Sequence, residues 1–416
     1  MSASLPARPT IARRDLLRMA GGAGVLVAAA GIGRAAVQGL IWTGEDSALR
    51  PWTDWAEQRH RGPLVLVGAG VLAASPHNSQ PWRFAISRLG VDIFEDPARS
   101  LGAMDPFGRE RLAGLGAAIH NMALASTGTG RSGRVKLLPD PGNPLHVARV
   151  LLGPEDSGPA PHALLPVIGR RHTHRGGWTG TPIKAATLQR LLAFARPPEI
   201  SVALFASGSA RGQRFARLTE AATQAITGDA AMMEASHHWF RHERRDQQRL
   251  HDGLTLATSG VSPWLAAAAS LLPQPSAATE GRYWLEATRD VHLPTASLFG
   301  LIMARDPWDR RQALLAGSAW QRLHLNATAL GLVAQPLNQL PEMIDRQRQL
   351  GQAPAFARAA DALLDDPALR PTFAFRIGRA AAPAKPALRR SVSEVIGAPA
   401  RVEWEVEQWR AAGGAF

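Results

Sequence analysis

Ala73-Ala74-Ser75-Pro76-His77-Asn78-Ser79-Gln80-Pro81-Trp82-Arg83-Phe84 gathers hydroxyl, imidazole and amide side chains around two prolines. It then runs into Trp82–Ser87, whose alternation has the period of a half-buried strand. The prolines restrict the backbone of the loop, and Ser, Asn and Gln offer donors and acceptors in fixed directions. A bare polar turn has no need of so many amides; the edge of a planar heteroaromatic ligand does. Immediately upstream, Leu64–Ala73 (LVLVGAGVLA) imitates a strand entering a dinucleotide-binding glycine turn. That motif requires a long helix opening at the glycines, and Ser75-Pro76 ends the pattern too soon. The segment is therefore predicted to be a helix that runs into an ordered loop.

A second polar run, Arg170-Arg171-His172-Thr173-His174-Arg175, complements the first. In an extended segment Arg171, Thr173 and Arg175 fall on one side, and two guanidinium forks with a hydroxyl make a phosphate clamp. The rest of the composition narrows the field. The chain has 416 residues, 45% of them hydrophobic, enough for a large core in two or three domains or one doubled fold. It has no cysteine, which removes disulfides, thiolate catalysis, Cys-ligated zinc and iron–sulfur clusters. The formal net charge of +13 comes from scattered arginines, with Lys only at 136, 184 and 385, so no nucleic-acid-binding face is expected. His237, His238, His242 and His251 include an i,i+4 pair, His238 and His242. Arg241, Arg244 and Arg245 would repel a cation there, so a solvated charged helix face is expected and no metal site.

Taken together, the two polar runs resemble the nitroreductase superfamily. Ser75, Pro76, His77, Asn78, Ser79 and Gln80 match its flavin-contacting loop, and Arg171, Thr173 and Arg175 match the motif that opens a unit and holds the FMN phosphate. Arg376-Ile377-Gly378 followed by Lys385-Pro386-Ala387-Leu388-Arg389-Arg390 resembles the family's last strand and basic tail. The resemblance covers most of residues 60–397 and is strongest to the Acg-type FMN-binding proteins, in which two such units share a chain. It implies an α+β, internally duplicated pseudo-dimer of mixed sheets flanked by helices. The cofactor it implies is FMN, with Arg389 or Arg390 joining Arg171 and Arg175 at the phosphate. Where the family carries Pro-x-Glu-Gly beside flavin N5, this chain has Pro336-Leu337-Asn338-Gln339. A backbone donor from Asn338 can serve there, but loss of the glutamate and glycine puts the usual substrate approach in doubt. The resemblance assigns no acid or base, and His77 is the one candidate proton donor.

An internal repeat supports the duplication from the residues alone. Gly114–Gly130 and Gly317–Gly331 both read as apolar helices ending at glycine, each followed by a strand-like segment, 135–138 and 332–335. The expected organisation is 43–160 for the first unit and 161–397 for the second. A lid-like insertion is expected at about 232–308, bearing Trp239, Phe240, Trp264 and Trp284, and 398–416 is a tail. The polar loop occurs only in the first half and the arginine clamp only at the start of the second; Ser259–Trp264, taken as the loop's counterpart, lacks Asn and Gln. One FMN site per chain follows.

At the N-terminus, Arg13-Arg14 precede a weakly apolar Gly/Ala-rich run, Met19–Gly33, the layout of a twin-arginine export signal over 1–42. The run is shorter than a stable spanning helix, and both release to the periplasm and retention by an uncleaved anchor stay open. The expected activity is therefore that of an exported FMN-dependent oxidoreductase, aided in export by the Tat translocase. It would reduce a small-molecule acceptor: a nitro compound, a quinone or an activated alkene. The electron donor is NAD(P)H, a membrane quinol or a partner protein. The alternative is a protein that binds or sequesters FMN with little turnover.

Overall fold

In the computed structural model, residues 47–156, 158–193 and 199–397 are described. The paired arginines, the apolar run and the 398–416 tail lie outside them.

Two four-stranded sheets repeat one plan. The first contains β1 (Trp82–Ser87), β2 (Gly90–Glu95), β3 (Gly133–Leu137) and β4 (His146–Leu152) in the order β1-β2-β4-β3. The second contains β5 (Ile200–Ala206), β6 (Leu298–Ala304), β7 (Val333–Pro336) and β8 (Arg370–Gly378) in the order β5-β6-β8-β7. Even the irregularity is shared: the β2–β4 ladder shifts register at Ile93/Phe94 and the β6–β8 ladder at Ile302/Met303. Mixed sheets were expected, but every ladder between named strands is antiparallel. Each sheet is two antiparallel pairs joined at their inner strands, so neighbouring strands alternate in direction. A parallel pairing occurs as an isolated bridge, Phe84 with Ile396.

The helices are α1 (Arg50–Ala56), α2 (Leu64–Val71), α3 (Arg109–Ser126), α4 (Ala185–Ala193), α5 (Ala210–Gly228), α6 (Ala230–His237), α7 (Arg244–Leu250), α8 (Pro263–Ser270), α9 (Ala277–Ala287), α10 (Arg310–Ala329), α11 (Gln339–Gln349), α12 (Ala355–Asp361) and α13 (Val392–Val395). The segment that imitates a nucleotide-binding turn is α2, as its sequence predicts. Its glycines serve packing: a Cβ on Gly70 would touch Phe84 and Met122.

The molecule is held together by α3 against α10, one from each half. A Cβ on Gly116 would stand 1.9 Å from the Leu314 carbonyl oxygen, and one on Gly317 would stand 1.8 Å from that of Ala113. Gly116 is to Gly317 as Ala113 is to Leu314, a constant shift of 201 positions, so the contact is two-fold symmetric. The same shift relates Gly130 to Gly331, which both end their helices in left-handed conformations, φ 72° and 70°. The repeat is therefore centred on Gly116 and Gly317, and the expected match of Gly114 with Gly317 is two residues out of step. Gly114 instead leaves room for Ser75 and Pro76 of the polar loop. The halves also exchange arginines. Arg109 of α3 donates to Asp345 (2.7 Å) and to the Thr372 carbonyl of the second sheet, while its counterpart Arg310 reaches Glu95 (2.9 Å) and the Pro144 carbonyl of the first.

One core packs Trp82, Phe84, Ile93 and Val150 of the first sheet against Leu115, Met122 and Ala125 of α3. In the second, Trp320 of α10 stacks on Phe373 (ring centroids 4.9 Å apart) and tilts against Phe375. The insertion is displaced from its expected bounds. It occupies residues 207–297, between β5 and β6, where the first half needs only the turn 88–89. Residues 298–304, expected within it, are the fully buried inner strand β6. Hydrophobic continuity of the Leu298–Ala304 run marks a strand buried on both faces, the signal that places it in the sheet. After β8 the chain leaves the second sheet. Arg389 N–H donates to Ala48 O (2.7 Å) and Gly397 N–H to Phe84 O (3.0 Å), so 387–397, expected in the second unit, close the first half.

Candidate functional site

The polar loop is strained where it is most polar. His77, Asn78 and Gln80 have φ of 47°, 55° and 52°, in the left-handed region that costs a side-chain-bearing residue on the order of 1 kcal/mol or more. Asn and His are among the residues that tolerate this conformation; Gln does not favour it. The surroundings hold the loop there. Ser75 Oγ accepts from Gln80 N–H (3.0 Å), and Gln321 of α10 accepts from Ala74 N–H (3.3 Å). Gln321 in turn donates to Asn121 of α3 (2.8 Å), which donates to Ala69 O of α2 (2.9 Å). This buried relay fixes the loop to both central helices.

The amides expected to face a ligand ring are spent within the chain. Asn78 Nδ2 donates to Gly253 O (3.1 Å) and Leu388 O (2.9 Å), and Asn78 Oδ1 accepts from Arg389. Gln80 Nε2 donates to His251 O (2.8 Å), while Gln80 Oε1 accepts from Arg390 N–H (2.9 Å). The loop is thus clamped between the insertion and the C-terminal segment. Ser79 Oγ is buried without a partner, and His77 Nε2 lies 3.0 Å from Ser236 Oγ of α6.

Around the loop, Arg99 donates to Ser79 O (2.7 Å) and pairs with Asp252 (2.7 Å), but other guanidinium groups lie without counter-ions. Arg171 is buried, bonded to Leu72 O (3.0 Å) and in reach of His324 Nδ1 (3.5 Å), with its Nε unpartnered. Arg389 is buried on the Trp52 ring (4.9 Å), donates to Ala73 O (3.1 Å), and also leaves Nε unpartnered. Arg175 donates to Thr258 O (3.2 Å). Arg376 lies over Trp178 (3.8 Å) and donates to Gln335 Oε1 (2.8 Å), His292 O (2.7 Å) and Gly176 O (2.9 Å). A Cβ on Gly378 would strike Trp178, which explains the glycine of the Arg-Ile-Gly run. Among the described residues, none of Arg171, Arg175, Arg376 and Arg389 forms an ion pair with a carboxylate.

The electrostatics follow. Burial lowers Arg171 and Arg175 to about 10 and Arg376 to about 9, and it pulls Arg389 well below its ordinary value, with Arg171 adding repulsion. Neighbouring imidazoles are held neutral: burial, then Arg175, lowers His77 to about 4. Burial, then Arg171 and Arg389, lowers His172 to about 3; burial, then Arg376 and Arg175, does the same to His292. His324 too is held well below its ordinary value by burial and then Arg171. A region that rejects protons while retaining several buried guanidiniums fits a bound dianion.

Of the sequence-predicted residues, the structure brings Asn78, Gln80, Arg389 and Arg390 into direct contact. Arg390 Nη2 donates to the Gln80 (2.5 Å) and Trp82 (3.1 Å) carbonyls. Arg171 joins them through its charge on Arg389, and Arg175 through its charge on His77. Thr173 is half-buried and makes no hydrogen bond among the described residues. Asn338 lies three positions after Gln335, to which Arg376 donates; its Oδ1 accepts from Ala374 N–H (2.8 Å) and its carbonyl from Glu342 N–H (2.9 Å). Two further expectations change. Ser259–Trp264 lies inside the insertion and is not the counterpart of the polar loop, which topology places just before β5. His238 and His242 share no helix face, because α6 ends at His237 and the chain turns into the Phe240–Leu254 bridge. His242 is buried, with Nε2 2.8 Å from Leu272 O. Trp52, His324 and Gln321 join the site without a sequence signal; isolated residues on apolar helices read as core packing.

An α+β protein of two pseudo-equivalent halves, with a carboxylate-free guanidinium cluster against a strained polar loop, is the class that fold and site define. No family model matches the chain. It is 28% identical over 351 residues to "Putative NAD(P)H nitroreductase Rv3131" of Mycobacterium tuberculosis, spanning 82% of this chain and 90% of that protein. It is 40% identical over 84 residues to "Putative NAD(P)H nitroreductase acg" of the same organism, 20% of this chain and 25% of that one. Among solved structures, the FMN-dependent nitroreductase NfnB of Mycobacterium smegmatis aligns with 57% of this chain and 96% of its own, at 16% identity and a TM-score of 0.35. The chain thus resembles nitroreductases along most of its length.

Proposed function

We propose that the chain is an FMN-dependent oxidoreductase of nitroreductase type. The observation that carries this reading is the cluster of buried Arg171 and Arg389 with half-buried Arg175, none paired with a carboxylate and with Nε of Arg171 and Arg389 unpartnered. These groups would hold the FMN phosphate, Ser79 Oγ and the strained Ser75–Gln80 backbone would lie beside the flavin, and Thr173 would add a hydroxyl. When bound, FMN supplies two-electron redox chemistry for a nitro, quinone or activated-alkene acceptor. The chain's own part is to bind, to orient and to exclude water. His77, kept neutral and half-buried at the loop, is the group placed to hold a proton there. The names of the relatives favour NAD(P)H as donor. Arg13-Arg14 and the Met19–Gly33 run favour export.

The test is FMN released per chain from protein purified without added flavin. One equivalent is expected in the wild type, with a loss of at least tenfold in affinity for Arg171→Gln or Arg389→Gln; wild-type protein that neither carries nor takes up FMN refutes the reading. A second reading, an FMN-binding protein with little turnover, is favoured by one observation. The insertion bonds directly to Asn78, Gln80 and His77, covering the loop. Flavin that is retained but not reduced by NADPH or NADH would select it.

A further inference from the structure

We propose that the surface of α8 and its flanks is a membrane-contact face that lies on an anionic lipid bilayer. From Gly253 to Thr279 the sequence has no charged residue, in a chain that carries 47 Lys and Arg. Thr255 and Thr258 are buried, but from Ser259 onward the side chains described are exposed or half-buried. Trp264 is 73% exposed, Leu272 61%, Leu265 42% and Val261 39%. Elsewhere large apolar groups of the insertion, Trp239, Met232 and Met233, are buried in a core of their own, so the exposure of Trp264 and Leu272 is not a shortage of packing partners. Large apolar groups left exposed this close together in one segment mark an interaction site, and Trp with Leu at a helix start is the composition of an interfacial segment.

Two observations select a bilayer as the occupant. Exposed Arg245 lies on α7 before the patch in sequence, where Arg249 is paired with Asp246, and exposed Arg282 lies on α9 after it beside Glu280 and Glu286; the whole chain carries +13, complementary to anionic headgroups. The described chain also begins on this lobe. Ser47 Oγ lies 3.2 Å from His251 Nε2, and the insertion is tied across from there by Arg241 N–H to Leu254 O (2.7 Å) and by His242 Nε2 to Leu272 O (2.8 Å). Ser47, which follows the Met19–Gly33 run in sequence, is therefore tied to the insertion that presents the patch.

The cysteine-free sequence gives a clean test. In the full-length chain, Leu265→Cys labelled with an environment-sensitive nitrobenzoxadiazole probe is mixed with phosphatidylglycerol/phosphatidylcholine vesicles, and Gln189→Cys on exposed α4 serves as the reference site. The proposal expects a blue shift and a several-fold rise in emission at 265, quenching by doxyl-labelled lipid, a smaller response with phosphatidylcholine alone, and none of these at 189. Any of three results overturns it. Water-like emission at 265 from protein that floats with the vesicles means that the face does not touch lipid. Emission already blue-shifted before lipid is added means that the chain's own apolar run or a second copy covers the patch. Equal responses at 265 and 189 mean adsorption without a dedicated face.

Discussion

Replacing Gly116 by Ala tests the symmetry of the fold at its tightest point. In an exposed helix the change stabilises by about 1 kcal/mol, because Ala is the better helix former. Here the new Cβ would fall 1.9 Å from Leu314 O, a distance at which it cannot remain. Opening the contact to roughly 3 Å separates α3 from α10 by about 1 Å, enough to forfeit a quarter to a half of the dispersion energy of the contacting atoms. The neighbour is backbone, so no side chain can swing aside, and the strain adds to the usual overpacking cost of about 1–3 kcal/mol. A net loss of about 3 kcal/mol is expected, and the same for Gly317→Ala, whose Cβ meets Ala113 O at 1.8 Å. The double variant should lose at least about 1 kcal/mol less than the sum, since one separation makes room for both methyls. Gly228→Ala is the control: it ends α5, and a Cβ there has nothing within 4 Å. Urea unfolding of the four proteins reads the outcome. If Gly116→Ala is as benign as Gly228→Ala, the close helix contact, and the repeat centred on it, are wrong.

A second site of stored energy is the acid cluster at the other junction, where Asp105, Glu110, Glu342 and Asp345 surround Arg109. Burial lifts Glu110 to about 7, with Asp105 and Asp345 adding to it, and lifts Glu342 well above its ordinary value, with Glu110 adding to it. Folded values above the unfolded ones give stability that is whole below about pH 4.5 and lost as pH rises through 7. Glu342→Gln should therefore match the wild type near pH 5 and exceed it at pH 8, measured by denaturant titration at both pH values; a constant difference counts against a shared buried proton. At the site the sign reverses. His77, His172 and His292 have folded values near 3–4, below the unfolded 6.5, so their contribution is present above 6.5 and lost as pH falls through 4. Flavin release and unfolding should accordingly set in together on acidification, followed by flavin fluorescence and circular dichroism. Arg171→Met should leave the flavin-free protein as stable as the wild type or more so, because it removes a buried cation without a counter-ion, while weakening flavin binding at least tenfold. A variant that loses both together makes Arg171 structural.

The elements that can be read from the sequence are those whose signal is local. Trp82–Ser87 alternates and is β1 to the residue; α2 ends where Ser75-Pro76 predicts; Gly130 and Gly331 close their helices because only a left-handed turn fits there. The second half is harder for a physical reason. A hairpin whose turn has been replaced by residues 207–297 separates β5 from β6, so the local evidence for their pairing is gone and β6 reads as part of the insertion. The same distance hides the crossing of 387–397 to the first sheet.

The candidate site shows most clearly why residue types alone are not enough. Asn78 and Gln80 stand out in the sequence because amides can read the edge of a ring, and the same capacity lets them bind the carbonyls of Gly253, Leu388 and His251. Which partner wins depends on chain segments more than 170 positions away. What the sequence could not carry, and the structure does, is a mismatch between cost and return. Three side-chain-bearing residues sit at positive φ within one loop, beside guanidiniums that no carboxylate neutralises. Each feature destabilises the folded chain alone, and hydrogen bonds to carbonyls offset only part of a buried cation's desolvation. On the proposed reading both costs are met together: a phosphate would relieve the charge, and a seated ligand would use the loop's fixed shape.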